Sequence, residues 1–113
     1  MGSTLSETGA GDAVKSRLNE LAQKFVTRTT GDLALMRESL SRVETGDAAG
    51  LEQIRQLAHR ACGTGGTLGL CALSDAAGAI ERAIDACPSG SMPDAVLRAE
   101  IAARIDAMAA ELP

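Results

Sequence analysis

The sequence predicts an all-α protein, an up-down antiparallel four-helix bundle with an additional N-terminal helix, on three observations. The composition sets 21 Ala and 13 Leu against 4 Val and 5 Ile, with one Phe and no Tyr or Trp. That balance favours helices and denies a sheet the β-branched and aromatic residues it needs. Apolar residues recur at three- and four-residue spacing along five segments, the period of one helix face. The connections between those segments fall in the range of about 2–8 residues that leaves neighbouring helices antiparallel. At 113 residues the chain is long enough for one core and too short for two.

Residues 1–11 are small and polar without periodicity and are expected to be frayed or disordered. Residues 12–113 form the bundle domain. A first helix is expected from about Asp12 to Thr29 on Val14, Leu18, Leu21 and Phe25, with Ala22 and Val26 beside them. Thr30-Gly31-Asp32 should interrupt the pattern. A second helix then carries Leu33, Met36, Leu40 and Val43 and ends near Thr45-Gly46. Asp47 reads as the N-cap of a third helix, its carboxylate accepting from a first-turn amide. Propensity alone would end that helix at Gly63, but its apolar stripe runs on through Gly65 to Leu68, which makes Gly69 the break. A fourth helix, from about Leu70 to Ala86, uses Leu73, Ala77, Ile80 and Ile84. Residues 88–93 are a turn segment, and Ser91 ahead of Pro93 and Asp94 reads as a helix start. The last stripe is Leu97, Ile101, Ile105, Met108 and Leu112. Each stripe is expected to be core.

Several functions are excluded at this level. A formal charge of −4 without a basic cluster or aromatic platform argues against nucleic acid. No apolar run approaches the ~20 residues of a membrane span, and no signal peptide is visible, so a cytoplasmic protein is expected. Cys62, Cys71 and Cys87 are an odd set at spacings that match no zinc framework, and His59 with Cys62 lacks a second ligand pair. No metal centre is expected.

The chemistry concentrates in residues 58–69. This stretch holds the only histidine, His59, and four glycines within the seven positions 63–69. On a helical wheel Leu51, Ile54, Leu57, Ala58, Ala61, Cys62, Gly65 and Leu68 share one arc, and His59 lies roughly 130° from its centre, towards solvent. Glu52 and Arg55 flank it on one side, Gly63 and Gly66 on the other. Each helical glycine costs roughly 1 kcal/mol against a good helix former, so a repeated glycine beside one exposed histidine needs a reason. An exposed neutral imidazole is a nucleophile at physiological pH. Side chains lean towards the helix N-terminus, so glycine at 63 keeps the space over the ring open.

These residues resemble the histidine phosphotransfer (HPt) family. Its run of His, one residue, an apolar residue, Lys and Gly, then a small-residue segment and a further Gly with an apolar neighbour, reads here as His59-Arg60-Ala61-Cys62-Gly63 and Gly69-Leu70. The lysine is replaced by Cys62, which cannot bring a charge to a phosphate. The resemblance implies that His59 accepts a phosphoryl group from a receiver-domain aspartate of a response regulator, or of a hybrid kinase, and passes it to another receiver. The protein would be a free-standing phosphocarrier without an ATP or hydrolytic site and without a cofactor. Mg²⁺ would sit on the partner receiver, and a sensor or hybrid histidine kinase would stand upstream. Carried forward in register, the residue that hydrogen-bonds the second ring nitrogen is Glu81, with a solvated surface glutamate as the alternative. The docking patch would comprise Arg55, Arg60, Cys62, Gly63, Gly66 and Thr67. The missing charge would come from Arg55, which leans away, from Arg60, about 100° round the helix, or else from the partner, with Arg55 favoured.

Other readings of the stretch fit less well. The glycines lack the Lys-Ser/Thr ending of a P-loop and follow a helix, which argues against a nucleotide site. No Ser, Cys and Asp spacing suggests a hydrolytic site. The competing class is a helical adaptor in which His59 is never phosphorylated, a reading that Cys62 keeps open.

Overall fold

The computed structural model describes residues 2–88 and 91–113, with side chains from residue 11 onward. Four helices follow one another: α1 Gly2–Glu44, α2 Ala49–Thr67, α3 Cys71–Asp85 and α4 Ala95–Ala110. They pack in ring order, α1 on α2, α2 on α3, α3 on α4 and α4 back on α1. No strand occurs among the described residues. The core is aliphatic and sulfur-bearing: Met36, Ile54, Leu73, Ile80, Ile101, Ile105 and Met108 are all below 2% exposed. Phe25, the one aromatic, is buried in the same cluster.

The additional helix is not a separate element. Thr30-Gly31-Asp32 does not break the chain, and α1 runs through it as one helix of 43 residues. Three local features carry it across. Thr29 is buried between the stripe residues Phe25 and Leu33, so the packed face has no gap at the junction. The Thr30 hydroxyl donates to the Val26 carbonyl at 2.8 Å, and Asp32 pairs with Arg60 on α2. Gly31 keeps a negative φ, and its cost of about 1 kcal/mol is outweighed by continuous burial on either side. At about 1.5 Å per residue α1 accounts for the 66 Å long axis of the molecule.

That length overturns one expectation about the core. Val14, Leu18 and Leu21 are 58%, 51% and 44% exposed. The partner helices are only 19, 15 and 16 residues long, so this part of α1 projects past them. The segment 1–11, expected to fray, lies largely outside the described residues: Met1 is not described, and of residues 2–10 only the helical backbone is.

Helix ends follow capping chemistry closely. Gly46 and Gly69 take φ of +101° and +78°, the left-handed conformation that ends α1 and α2. Beyond each, amides return to the last turn, Asp47 to the Arg42 carbonyl at 2.9 Å and Leu70 to that of Gly65 at 2.8 Å. α2 therefore runs through the glycine cluster and stops at Thr67, before Gly69. Asp47 lies one residue before the α2 cap, and its carboxylate accepts from the Ala49 amide at 3.0 Å. At α4 the cap is Asp94, which accepts from Leu97 at 2.8 Å, and not Ser91. Ser91 instead donates its amide to the Pro88 carbonyl in the turn before it. Ser89 and Gly90 of that turn lie outside the described residues.

One glycine fixes how closely α1 and α2 approach. A β-carbon on Gly50 would fall 2.4 Å from the Ser39 carbonyl oxygen and 2.8 Å from Val43 Cγ2. Backbone cannot yield as a side-chain tip can. Beside this contact the fully buried Ser39 donates to Gln53 Oε1 at 3.0 Å, and Arg42 donates to the same oxygen at 2.6 Å. Gly50→Ala should therefore destabilise the fold by about 1–3 kcal/mol through overpacking, despite alanine's better helix propensity. A urea midpoint measured by circular dichroism that equals or exceeds the wild-type value would contradict this.

Candidate functional site

α2 and α3 are joined by a tight turn and run antiparallel, and their register decides what stands opposite His59. Small residues line the shared face. Ala61 and Gly65 are buried on α2, Ala77 and Gly78 on α3. A β-carbon on Gly65 would touch Ser74 at 3.5 Å and the Phe25 ring at 3.6 Å, leaving room for nothing larger. The Ser74 hydroxyl donates across the joint to the Cys62 carbonyl at 2.7 Å. In this register Arg55 faces Asp85, His59 faces Glu81 and Cys62 faces Gly78.

The His59 side chain is 72% exposed, as its position on the wheel requires. Nδ1 lies 2.8 Å from Glu81 Oε1, and the Glu81 side chain is largely sheltered. An ionised carboxylate only accepts hydrogen bonds, so the ring hydrogen belongs on Nδ1 and the lone pair on Nε2. The ring is thereby held by one nitrogen and offers the other to solvent. Glu81, which the family resemblance put opposite the ring, is the residue that reaches it.

The glycines divide into two kinds. Gly65 is buried packing, whereas Gly63 and Gly66 are exposed. A β-carbon on Gly63 would meet nothing within 4 Å among the described residues, and one on Gly66 only Ser74 Oγ, at 3.4 Å. Nothing within the described fold forbids a side chain at 63.

The remaining residues expected in the patch do not all converge on His59. Arg55 donates through Nε to Asp85 Oδ1 at 2.7 Å. This hydrogen bond, then the charge of Asp85, holds its guanidinium above the ordinary arginine pKa. Arg60 turns the other way, to Asp32 of α1 at 3.6 Å. Cys62 is half-buried with its thiol towards Ser74 and Gly78. Thr67 is exposed, its hydroxyl donating back to the Gly63 carbonyl at 3.0 Å. Sequence reasoning missed Asp85 and Ser74. The signal for Asp85 was present: once 59 is set opposite 81, antiparallel counting sets 55 opposite 85. A groove of about 520 Å³ adjoins this end of the site, walled by Leu51, Glu52, Arg55, Ile84, Asp85 and Pro88. All three cysteines are free, and among the described residues no cluster of three or more His, Cys, Asp or Glu side chains is arranged to hold a metal ion. No helix among the described residues is long and apolar enough to cross a membrane.

Comparison with known protein families matches the chain to the Hpt domain over residues 20–112. No curated protein and no solved structure gives a significant match. The matched span contains all four helices in whole or part, and with them every residue of the His59 surface.

Because position 63 is an open helical site, Gly63→Ala should raise folding stability by about 0.5–1 kcal/mol. A thermal or urea midpoint that falls would show an internal contact at 63 instead.

Proposed function

The chain belongs to the Hpt domain family, and on that premise we propose that His59 is its phosphoacceptor. Membership carries a general role in phosphorelay, the movement of phosphoryl groups between signalling proteins. The specific reading is that His59 takes the group from a receiver-domain aspartyl phosphate and delivers it to a second receiver. A sensor or hybrid kinase would feed the chain of transfers. The observation that carries this is the ring held by Glu81 at Nδ1, with Nε2 exposed beside the bare backbone of Gly63.

The chemistry follows from that geometry. The Nε2 lone pair attacks phosphorus in line with the aspartyl oxygen, the P–O bond breaks, and the carboxylate leaves with the bonding pair. Nδ1 keeps its hydrogen, so the ring gains positive charge as the P–N bond forms. Glu81, already accepting from Nδ1, is placed to stabilise that charge, and this is a role for a carboxylate more than for a neutral amide. Transfer onward is the same step reversed on another aspartate. The transition state needs positioning and charge stabilisation more than covalent help, and the Mg²⁺ expected on the receiver contributes on that side. A helical adaptor that is never phosphorylated is the second reading, which Cys62 in place of the family lysine keeps open.

Incubation with a phosphorylated receiver should label the wild-type chain with acid-labile, alkali-stable phosphate, and His59→Gln should take no label. Label retained by His59→Gln would refute the assignment. No label from any receiver would favour the adaptor. Glu81→Ala should keep the fold but lower the transfer rate by about 10-fold or more, since one partner of a charge-assisted hydrogen bond is lost.

A further inference from the structure

Where the family pattern has lysine this chain has Cys62, so on the reading above the phosphoryl group on His59 gets no cation from its own helix. We infer that Arg82, on the facing helix α3, binds the phosphoryl oxygens in that lysine's stead. The observation is a shared space at Gly78. A β-carbon there would lie 3.2 Å from Arg82 Nη1 and 3.5 Å from Cys62 Sγ. α3 gives up a side chain at 78, and the guanidinium of Arg82 folds over the vacated backbone beside the thiol.

Register brings this group past the histidine. With 59 opposite 81, Arg82 starts level with the residue before His59. Its side chain leans towards the N-terminus of α3, which in an antiparallel pair is towards the C-terminal end of α2. The guanidinium therefore runs along the rim of the α2–α3 joint, past the level of His59 to that of Cys62. A lysine at 62 would bring its ammonium to the same rim from the other side.

The other cations of this face are engaged. Arg55 is held by Asp85 at 2.7 Å and Arg60 by Asp32 at 3.6 Å. Arg82 is exposed and has no ion pair among the described residues. It is thus free to turn towards an anion without breaking a contact. A guanidinium also presents paired N–H donors that match two phosphoryl oxygens, where an ammonium is a point charge.

The inference rests on His59 being the phosphoacceptor, and a small donor tests it without a partner. With zwitterionic phosphoramidate, the donor P–N bond breaks, ammonia leaves, and a bond forms between phosphorus and Nε2. Labelling rates at low and high salt would be measured for wild type, Arg82→Ala, Arg82→Lys, the double variant Arg82→Ala/Cys62→Lys, and the surface control Arg104→Ala, with melting curves for each. Arg82→Ala should label about three- to tenfold more slowly than wild type. The deficit should shrink as salt rises. Arg82→Lys should retain most of the rate, and Cys62→Lys should restore it in the double variant. Arg104→Ala should match wild type. A merely structural role for Arg82 would not give rescue from the opposite helix. Equal labelling of wild type and Arg82→Ala, with His59→Gln unlabelled, would overturn the role of Arg82 and leave that of His59 intact. No label on wild type would overturn both.

Discussion

The packing of α2 against α3 through small side chains is the constraint on which the site depends. Ala61 and Gly65 on one helix meet Ser74, Ala77 and Gly78 on the other, and such faces allow backbones to approach closely. Close approach with interlocking small residues admits few registers. The one adopted sets His59 against Glu81 at 2.8 Å and Arg55 against Asp85 at 2.7 Å. A shift by one helical turn would keep aliphatic residues inside, yet it would leave the imidazole without its carboxylate. Exposed ion pairs like Arg55–Asp85 are screened by solvent and contribute little, so they follow the register and do not create it.

Around this joint, rigidity and openness are separated by residue. Gly50 and Gly65 serve packing, the former so tightly that a methyl group would strike backbone. Gly63 serves no internal contact among the described residues. A fold that accepts an unneeded glycine in mid-helix gives up about 1 kcal/mol, a sizeable share of the marginal stability of a small domain. Such a cost fits the proposed role of His59, whose ring another protein would have to approach. The opposite arrangement holds at Glu81, sheltered in the joint and so restricted in its rotamers, which fixes the ring it holds.

Charge is distributed unusually for a site of this kind. The cations nearest in sequence to His59 are neutralised by Asp85 and Asp32, and the helix bearing the histidine has Cys62 where a lysine would serve. Arg82, on α3, has no ion pair among the described residues. A charge can change helix and still serve the same point in space, because what matters to a phosphoryl oxygen is distance and geometry, not the order of residues along the chain. The projecting part of α1 is a separate matter: its apolar residues Val14, Leu18 and Leu21 have no neighbour helix long enough to cover them.

The sequence by itself determined the helical class, the stripes that became the cores of α2, α3 and α4 and the Leu33-to-Val43 face of α1, the glycine stops at 46 and 69, and the outward direction of His59. These are local properties, fixed by a period of 3.6 residues and by the backbone freedom of glycine. It also carried the register of 59 with 81, through family resemblance and not through any physical signal in the chain. Tertiary structure alone decided the rest. Thr30-Gly31-Asp32 remained helical because Thr29 and Leu33 are buried on one continuous face and Asp32 has a partner on α2. Val14, Leu18 and Leu21 stayed exposed because the other helices end short of them. Arg60 turned to Asp32, and the Arg82 guanidinium came to lie near Gly78. Periodicity reports which face of a helix is apolar, but whether that face is covered, and which charge meets which, depends on the lengths and offsets of neighbouring helices, and these exist only once the chain has packed.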